Sequence, residues 1–514
     1  MAGILAIYKK KKLEKKVLDD IRNSANNLKH RGNNQFFTYE NFPIEIIFYQ
    51  EKEIEPNKPL NFSFDSKTND VIVIDGQIYN LPEINSRFLG LQGDSGQIKN
   101  INLEGIIAGY KERGIKIFNQ LIGSFSGVFY DGEDLIGFKD PVGGKPLYYG
   151  EDDDFFIYSS ELKALSPLNL KINPIKPGRA KFSSGPTERY YHYPNFIRKY
   201  ELTQKLTMKY IKELNNAVKL AVSDNIGEGE HVCALLSGGL DSTIISHIAK
   251  DVIKDLNVYT IGVEGSKDIL YAQKYAALFN LNHTVVKLSL KEMLESIPDV
   301  VFALETFDAA LIRSSVPMFL LSKKIREEQG ACILLTGEGA DELFGGYSYL
   351  LDLQAKNSLN QELLNLLEIE HKTGLQRVDR IPYFFSIEAR APLFDKRIVE
   401  LAFKIPPELK IFKKKGRGVV KKWILRKAFE EEMPSEFVWR KKQKFSNGAG
   451  SEFVLRDHIE NIISDAEFEE EKQITTDFSV RSKEELYYWR IFNEKFTPTL
   501  ETISEIGLTS VFDI

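Results

Sequence analysis

"HVCALLSGGLDSTIIS", residues 231–246, carries an apolar run into a glycine turn and out into a segment with helical period. The run 231–236 is short and, after His231, wholly apolar, and it reads as a buried strand. Gly238 and Gly239 let the backbone turn tightly, while Ser237, Ser242 and the amides of the following helix start supply donors at a positive dipole end. Together they form a cradle for a polyphosphate. No lysine-serine or lysine-threonine pair follows the glycines, so this is not a Walker A loop. Asp241, inside the turn, suits a magnesium ion bridging phosphates.

The flanking sequence repeats the pattern. Helical period runs over 206–224, 242–255 and 268–280, with short apolar strands at 257–263 and 283–289. "ACILLTGEGADELFGGY", 331–347, is a second strand entering a glycine turn, and beyond Gly345 the chain reads as mostly helical. Strands alternating with helices of this length predict a parallel sheet with crossover helices and a ligand at the carboxyl ends of the strands. Asp341 is then a candidate partner of Asp241 for one metal ion, and Glu338 a candidate base. Acids at a helix start also arise as simple dipole partners. Two such loops at strand ends in one chain favour the site.

Residues 1–190 have a different texture. "VIVIDGQIYN" (71–80), "FSGVFYD" (125–131), "DLIGFKD" (134–140) and "FFIYSSE" (155–161) are alternating or apolar runs bounded by turn residues. Two helices are predicted, over 14–28 and 102–114. Sheets packed on each other with helices outside, an α+β layering, is the expected arrangement. "YYHYPNFIRKY", 190–200, reads as the linker.

The bulk numbers agree with this division. The 514 residues call for two or three domains, and 43% hydrophobic with 27% charged residues is ordinary for a globular chain. A net charge of −5 gives no reason to expect nucleic acid as a partner. The basic runs Lys9–Lys12 and Lys413–Lys415, and the acidic patch near Glu467, read as solvated faces. Two cysteines, Cys233 and Cys332, lie in apolar runs and exclude a disulfide framework by number, which fits a cytoplasmic location. No apolar stretch is long enough for a membrane span or a signal peptide. The seven histidines show no pair at zinc-ligand spacing, and His30 reads as a structural donor in its turn.

"SGGLDS" resembles the pyrophosphate loop of N-type ATP pyrophosphatases. With "GEGADELFGGY", "SIEARAPLFD", "RKKQKFSNGAG", "ETFDAALIRSSVPMFLLSKKI" and "KKWILR", nearly the whole chain resembles the glutamine-dependent asparagine synthetases, carbon–nitrogen ligases that use ATP and Mg²⁺. The resemblance implies an α+β N-terminal Ntn-hydrolase-like sandwich, residues 1–190, of the glutamine amidotransferase type 2. An α/β parallel-sheet domain of the N-type ATP pyrophosphatase (adenine nucleotide alpha hydrolase-like) kind follows, residues 202–514. It implies that Asp241 and Asp341 hold Mg²⁺, that Ser237, Gly238, Gly239, Ser242 and Gly337 hold the phosphates, and that Leu236 and Val263 frame adenine. Asp268, Arg313 and Glu388 would bind or brace the substrate. Lys442 would neutralise charge at the α-phosphorus, Glu338 would help the amine lose its proton, and Arg390 would brace the site. The implied reaction adenylates a carboxylate with loss of pyrophosphate, and an amine then displaces AMP.

The first domain departs from that family where its chemistry should be. The family's cysteine nucleophile after the initiator methionine is Ala2, and its N-G-E-I-Y-N reads Asp75-Gly76-Gln77-Ile78-Tyr79-Asn80. An Asp carboxylate cannot donate the hydrogen bond an oxyanion needs. Asn102 stands in "INLE" where an Asp is usual, "KHRGNN" replaces R-H-R-G-P-D, and no arginine occurs between Arg31 and Arg87. The domain is therefore expected to keep its fold and to lack glutaminase activity, whether Ala2 is natural or engineered. In the second domain Ala310 and Leu311 replace two threonines of the family's aspartate pocket, while Arg313 is kept. The carboxylate is then aspartate or an analogue, and the amine is ammonia or another molecule. Glu338 favours amide formation over the β-lactam synthetases, which carry Tyr there. The alternatives are a ligase of the β-lactam- or macrolactam-forming type and a non-catalytic ATP-binding homologue. A homodimer and a separate glutaminase partner are both compatible with the resemblance.

Overall fold

A computed structural model describes the chain apart from residues 1, 33–35, 51–52, 56–57, 60, 91–102, 195–200, 228, 264, 356–357, 415–417, 441–450, 477, 500–501 and 504–514. The chain divides into two units, Met1–His192 with Val301–Asp308 and Asp465–Ile514, and Tyr193–Val300 with Ala309–Ser464.

In the first unit, short strands, most of the central ones apolar on both faces, form two six-stranded antiparallel sheets. The strand Ala2–Lys9 pairs with Ile44–Gln50 on one side and Phe155–Ser159 on the other. The strand Asp70–Ile78 pairs with Gly123–Tyr130 and Phe62–Asp65 in the other sheet. Ala2, Ile4 and Ala6 from the first sheet and Val71, Val73 and Val128 from the second share one core cluster, as inward faces of a sandwich do. Leu5 and Ile7, on the opposite face, are equally buried, so both faces of this strand are covered.

The helix expected over 14–28 is Lys15–Ser24, tightened into a 3₁₀ turn over Ala25–Arg31, and Glu104–Arg113 lies inside the second expected helix. A third helix, Leu81–Leu89, escaped the sequence reading; its nine residues give only about two and a half turns of periodicity. Lys9, expected on the surface, is 6% exposed and paired with Glu45 (2.8 Å) and Glu40 (3.0 Å).

Two segments beyond residue 202 belong to this unit. Glu305 accepts the amides of Leu162 (3.0 Å) and Lys163 (2.8 Å), and Phe307 packs on Trp489 and Phe492 with ring centroids 5.1 and 5.3 Å away.

The second unit is built on a five-stranded parallel sheet in the order Asn282–Lys287, Asn257–Gly262, Val232–Leu235, Ile333–Leu335, Glu388–Arg390. Thr203 and Ser266 cap the helices Gln204–Asp224 and Lys267–Leu278 by accepting the amides of Leu206 and Ile269. Chain order reverses between Val232–Leu235 and Ile333–Leu335, and a ligand crevice opens at that switch point. Both glycine loops leave from there. Cys233 and Cys332 are buried free thiols with sulfurs 3.7 Å apart. Among the described residues no helix is long and apolar enough to cross a membrane.

Candidate active site

The two loops meet because their glycines permit it. A Cβ on Gly337 would lie 2.5 Å from the amide nitrogen of Ser242, so any side chain there would push the loops apart. Gly238 adopts φ +67°, the left-handed region, and a Cβ there would meet the Asp268 carbonyl at 2.6 Å. Ser242 Oγ closes the first loop, accepting the Ser237 amide at 3.0 Å and sharing a proton with Ser237 Oγ at 2.8 Å. The helix Leu240–Val252 begins directly under this turn, with Gly239 at its cap position.

The loops form one wall of a cleft that holds four acids, Asp241, Asp268, Glu338 and Asp341, and five cations, Arg377, Lys421, Lys422, Arg426 and Arg440. The structure brings Asp241 and Asp341 together, with the Lys422 ammonium between them, 2.6 Å from Asp241 Oδ2 and 2.8 Å from Asp341 Oδ1. Asp241 Oδ1 is buried with no hydrogen-bond partner. Burial, with Lys422 and Arg426 adding to it, pushes the Lys421 ammonium down, and burial lowers Arg426 against the pull of Asp241. A wall of partly desolvated cations facing a glycine-rich turn is suited to a polyanion.

Glu338 receives a 2.7 Å contact from Arg377 Nη2. Behind this pair lie Glu342 and Glu370, both buried; desolvation and the neighbouring carboxylates raise both above the ordinary carboxylate range. Tyr347 donates its hydroxyl to Glu342. Glu338 is thus a partly exposed carboxylate, held in place by an arginine and backed by groups that resist ionisation.

The other sequence-predicted residues fall in different places. Asp268 lines the cleft but is engaged by Arg440, whose guanidinium also donates to the Gly238 carbonyl and stacks 4.1 Å over the Tyr271 ring. Leu236 is buried one residue past the strand Val232–Leu235, and its neighbour Leu235 lines the cleft. Val263 is half-buried beyond the next strand. Arg313 is 4% exposed in the helix Ala309–Gln329, and Met318 is the residue of that helix that lines the cleft. Lys442 lies outside the described residues, as does Asn102. The signals for Lys421, Lys422, Arg426 and Arg440 were present in "KKWILR" and in the first residue of "RKKQKF". No local pattern said which of the chain's many cations would be buried at the loops.

Arg390 and Glu388 are not part of the cleft wall. They sit two apart on the edge strand, on one face of the sheet, and Arg390 contacts Glu388 Oε1 (3.0 Å), Glu230 Oε2 (2.9 Å) and the Asn225 carbonyl (2.8 Å). The guanidinium ties the turn before the first strand to the last strand. Arg390→Met is therefore expected to cost about 3 kcal/mol in a urea titration, because it breaks a largely buried ion pair. Nucleotide affinity measured on the folded fraction should stay close to that of the unchanged protein.

In the first unit Ala2 is fully buried, and its methyl offers no nucleophile. Asp75 Oδ1 accepts the Ala2 amide at 3.2 Å, and Asp75 Oδ2 pairs with Arg31 Nη2 at 2.7 Å. Arg31 also donates to the Ala2 carbonyl (2.8 Å) and to Glu161 (2.7 Å), and all three charged side chains have no exposed surface. His30 pairs with Glu161 at 3.0 Å, as expected of a structural donor. Gly76 adopts φ +109°, and a Cβ there would meet the Ser124 carbonyl at 2.1 Å. Gln77 follows in the same strand, opposite Ser124.

Comparison with known proteins matches residues 213–373 and 352–486 to the family described as asparagine synthase, and residues 1–182 to the glutamine amidotransferase domain. The chain is 30% identical over 490 residues to asparagine synthetase B [glutamine-hydrolyzing] of Escherichia coli (strain K12), covering 91% of this chain and 86% of that protein. It is 31% identical over 462 residues to a probable asparagine synthetase [glutamine-hydrolyzing] of Schizosaccharomyces pombe, covering 83% and 81%. It is 30% identical over 491 residues to asparagine synthetase [glutamine-hydrolyzing] 1 of Arabidopsis thaliana, covering 92% and 82%.

Proposed function

The chain belongs to the asparagine synthase family, and on that premise we propose that it joins a small-molecule carboxylate to ammonia or another amine without hydrolysing glutamine itself. It is an ATP-dependent carbon–nitrogen ligase of the asparagine synthase type. The observation that carries the reading is the meeting of the two glycine loops at the sheet's switch point, with Asp241, Asp341 and Lys422 in contact and a cationic wall opposite.

The carboxylate attacks the α-phosphorus of ATP, pyrophosphate leaves, and the resulting acyl-adenylate is opened by the amine to give an amide and AMP. A carboxylate is a poor electrophile, and AMP as leaving group removes that obstacle. Ser237, Gly238, Gly239, Ser242 and Gly337 bind the phosphates through hydroxyls and amides. Lys421, Arg426 and Lys442 offset the charge that gathers on the departing pyrophosphate. Leu236 and Val263 bound the adenine, and Asp268 and Arg313 orient the substrate. Glu338, steadied by Arg377, accepts the proton that the attacking amine sheds.

The residues fit Mg²⁺. Two carboxylates with an unpartnered buried oxygen on Asp241 are the kind of partial shell that substrate phosphates complete. Bound there, Mg²⁺ would draw charge off the phosphate oxygens.

Two observations narrow the substrates. Ala2 lacks a nucleophile and Asp75 is saturated by Arg31 and the Ala2 amide, which supports an amine that arrives from outside or from a separate glutaminase chain. Ala310 and Leu311 remove two hydroxyls from the sequence next to Arg313, which supports an acid other than aspartate as a second reading.

Labelled pyrophosphate exchanged into ATP, screened over amino acids and peptides without added amine, tests this. Exchange that depends on one acid, followed by AMP release when an amine is added, is the expected result. Exchange with no acid tried, alongside normal ATP binding, would mark a non-catalytic homologue and overturn it.

A further inference from the structure

Lys422 is placed with unusual definition for a lysine. It is 2% exposed, and its backbone is held at φ 54°, ψ 34°, a left-handed conformation uncommon for a residue with a Cβ. Such conformations persist where the surroundings over-determine them. Here the surroundings are specific. The Lys422 carbonyl accepts the Arg426 amide at 3.0 Å, and its neighbour Lys421 is tied to Ser348 Oγ at 3.1 Å. Its stem passes Gly346, where a Cβ would lie 2.4 Å from Lys422 Cε and 1.5 Å from Asp341 Oδ1. Glycine at 346 therefore keeps open the channel through which the ammonium reaches the two aspartates.

The charge count at this point decides what can bind. Two carboxylates and one ammonium leave a single net negative charge, and that ammonium already contacts an oxygen of each carboxylate. A free divalent ion would have to shed water for ligands that are mostly neutralised, beside a buried positive charge. Among the described residues there is no cluster of three or more His, Cys, Asp or Glu side chains suited to holding a metal alone. A metal bound to phosphates meets neither obstacle, because the phosphates complete its shell and give the displaced ammonium a new partner.

We propose that Lys422 is an internal counter-ion that closes the Asp241–Asp341 pair to free divalent cations, so that metal and nucleotide phosphates enter as one unit. The inference rests on the nucleotide-site reading above. It adds a role for a positioning residue: Lys422 pre-sets the two carboxylates, and it passes to the phosphates when the metal takes its place. Free metal and free nucleotide then each bind weakly, and each strengthens the other by the same factor, as linkage requires.

Mn²⁺ is the probe, with free Mn²⁺ read by electron paramagnetic resonance in a titration of the full chain. Without nucleotide, weak binding is expected; with α,β-methylene-ATP, one ion per chain should bind at least about tenfold tighter. Lys422→Met, which keeps an unbranched stem one atom shorter and removes the charge, should bind Mn²⁺ without nucleotide about tenfold or more tighter than the unchanged protein. Equal Mn²⁺ affinity with and without bound analogue in the unchanged protein would overturn the proposal whatever the variant does. So would a folded Lys422→Met, by circular dichroism, with no gain. If the analogue does not bind at all, the nucleotide-site reading fails, while the nucleotide-free comparison of Lys422→Met with the unchanged chain still decides the role of the lysine.

Discussion

Glutamine is expected to survive incubation with the purified chain, and Ala2→Cys alone is expected not to change that. Loss of a catalytic nucleophile costs on the order of a million-fold in turnover. Restoring a thiol at position 2 would still leave Asp75 next to it, on the strand Asp70–Ile78 of the facing sheet. That carboxylate is fully buried, accepts the Ala2 amide at 3.2 Å and pairs with Arg31 at 2.7 Å. Acyl transfer places a negative oxygen near the nucleophile, and an anion at that point opposes the charge that a donor there would stabilise. Removing a single oxyanion donor costs roughly 10²–10³-fold, and replacing it by a carboxylate should cost at least as much. Ammonia release from glutamine, measured for the unchanged protein and for Ala2→Cys, checks this. Turnover by Ala2→Cys well above that of the unchanged protein would show that the Arg31–Asp75–Glu161 cluster can reorganise around a working nucleophile, against this reading.

Asp241→Asn is expected to cut acid-dependent pyrophosphate exchange by roughly a thousand-fold, because it removes a charge aimed at the reacting phosphates and their metal. The amide preserves volume and can still accept a hydrogen bond from Lys422, but the ion pair at 2.6 Å is lost. Lys422 then leans on Asp341 alone. The exchange rate per folded molecule separates chemistry from folding, with the fold followed by circular dichroism. Exchange by Asp241→Asn within a few-fold of the unchanged protein would remove Asp241 from the reaction and sink the assignment of the loop as the nucleotide site.

Much of this architecture is legible in the amino-acid sequence. Alternating or apolar runs bounded by turn residues marked four of the sandwich strands, and short apolar runs among helical segments marked three of the five parallel strands. The last two strands differ in how far they could be read. Ile333–Leu335 was visible because a glycine turn follows it, whereas Glu388–Arg390 is three residues in a stretch whose interest lay in its charges. Lys9 was read as solvated from its place in a lysine run, and the structure buries it against Glu45, 36 residues away in sequence but on the adjoining strand. Arg390 was read as part of the site from its motif. Its guanidinium is instead shared among Glu388, Glu230 and the Asn225 carbonyl.

The amino-acid sequence by itself determined the layering of both units, the two glycine turns and the missing nucleophile. These are local matters: the direction in which successive side chains point, the conformations open to a residue without a Cβ, the atoms a side chain carries. Only the tertiary structure decided that Lys422 would stand between Asp241 and Asp341, 181 residues from the first, and that Arg31 would close on Asp75. Which of many like charges becomes buried, and against which partner, depends on the desolvation of both at one point in space, and no stretch of chain encodes that point alone.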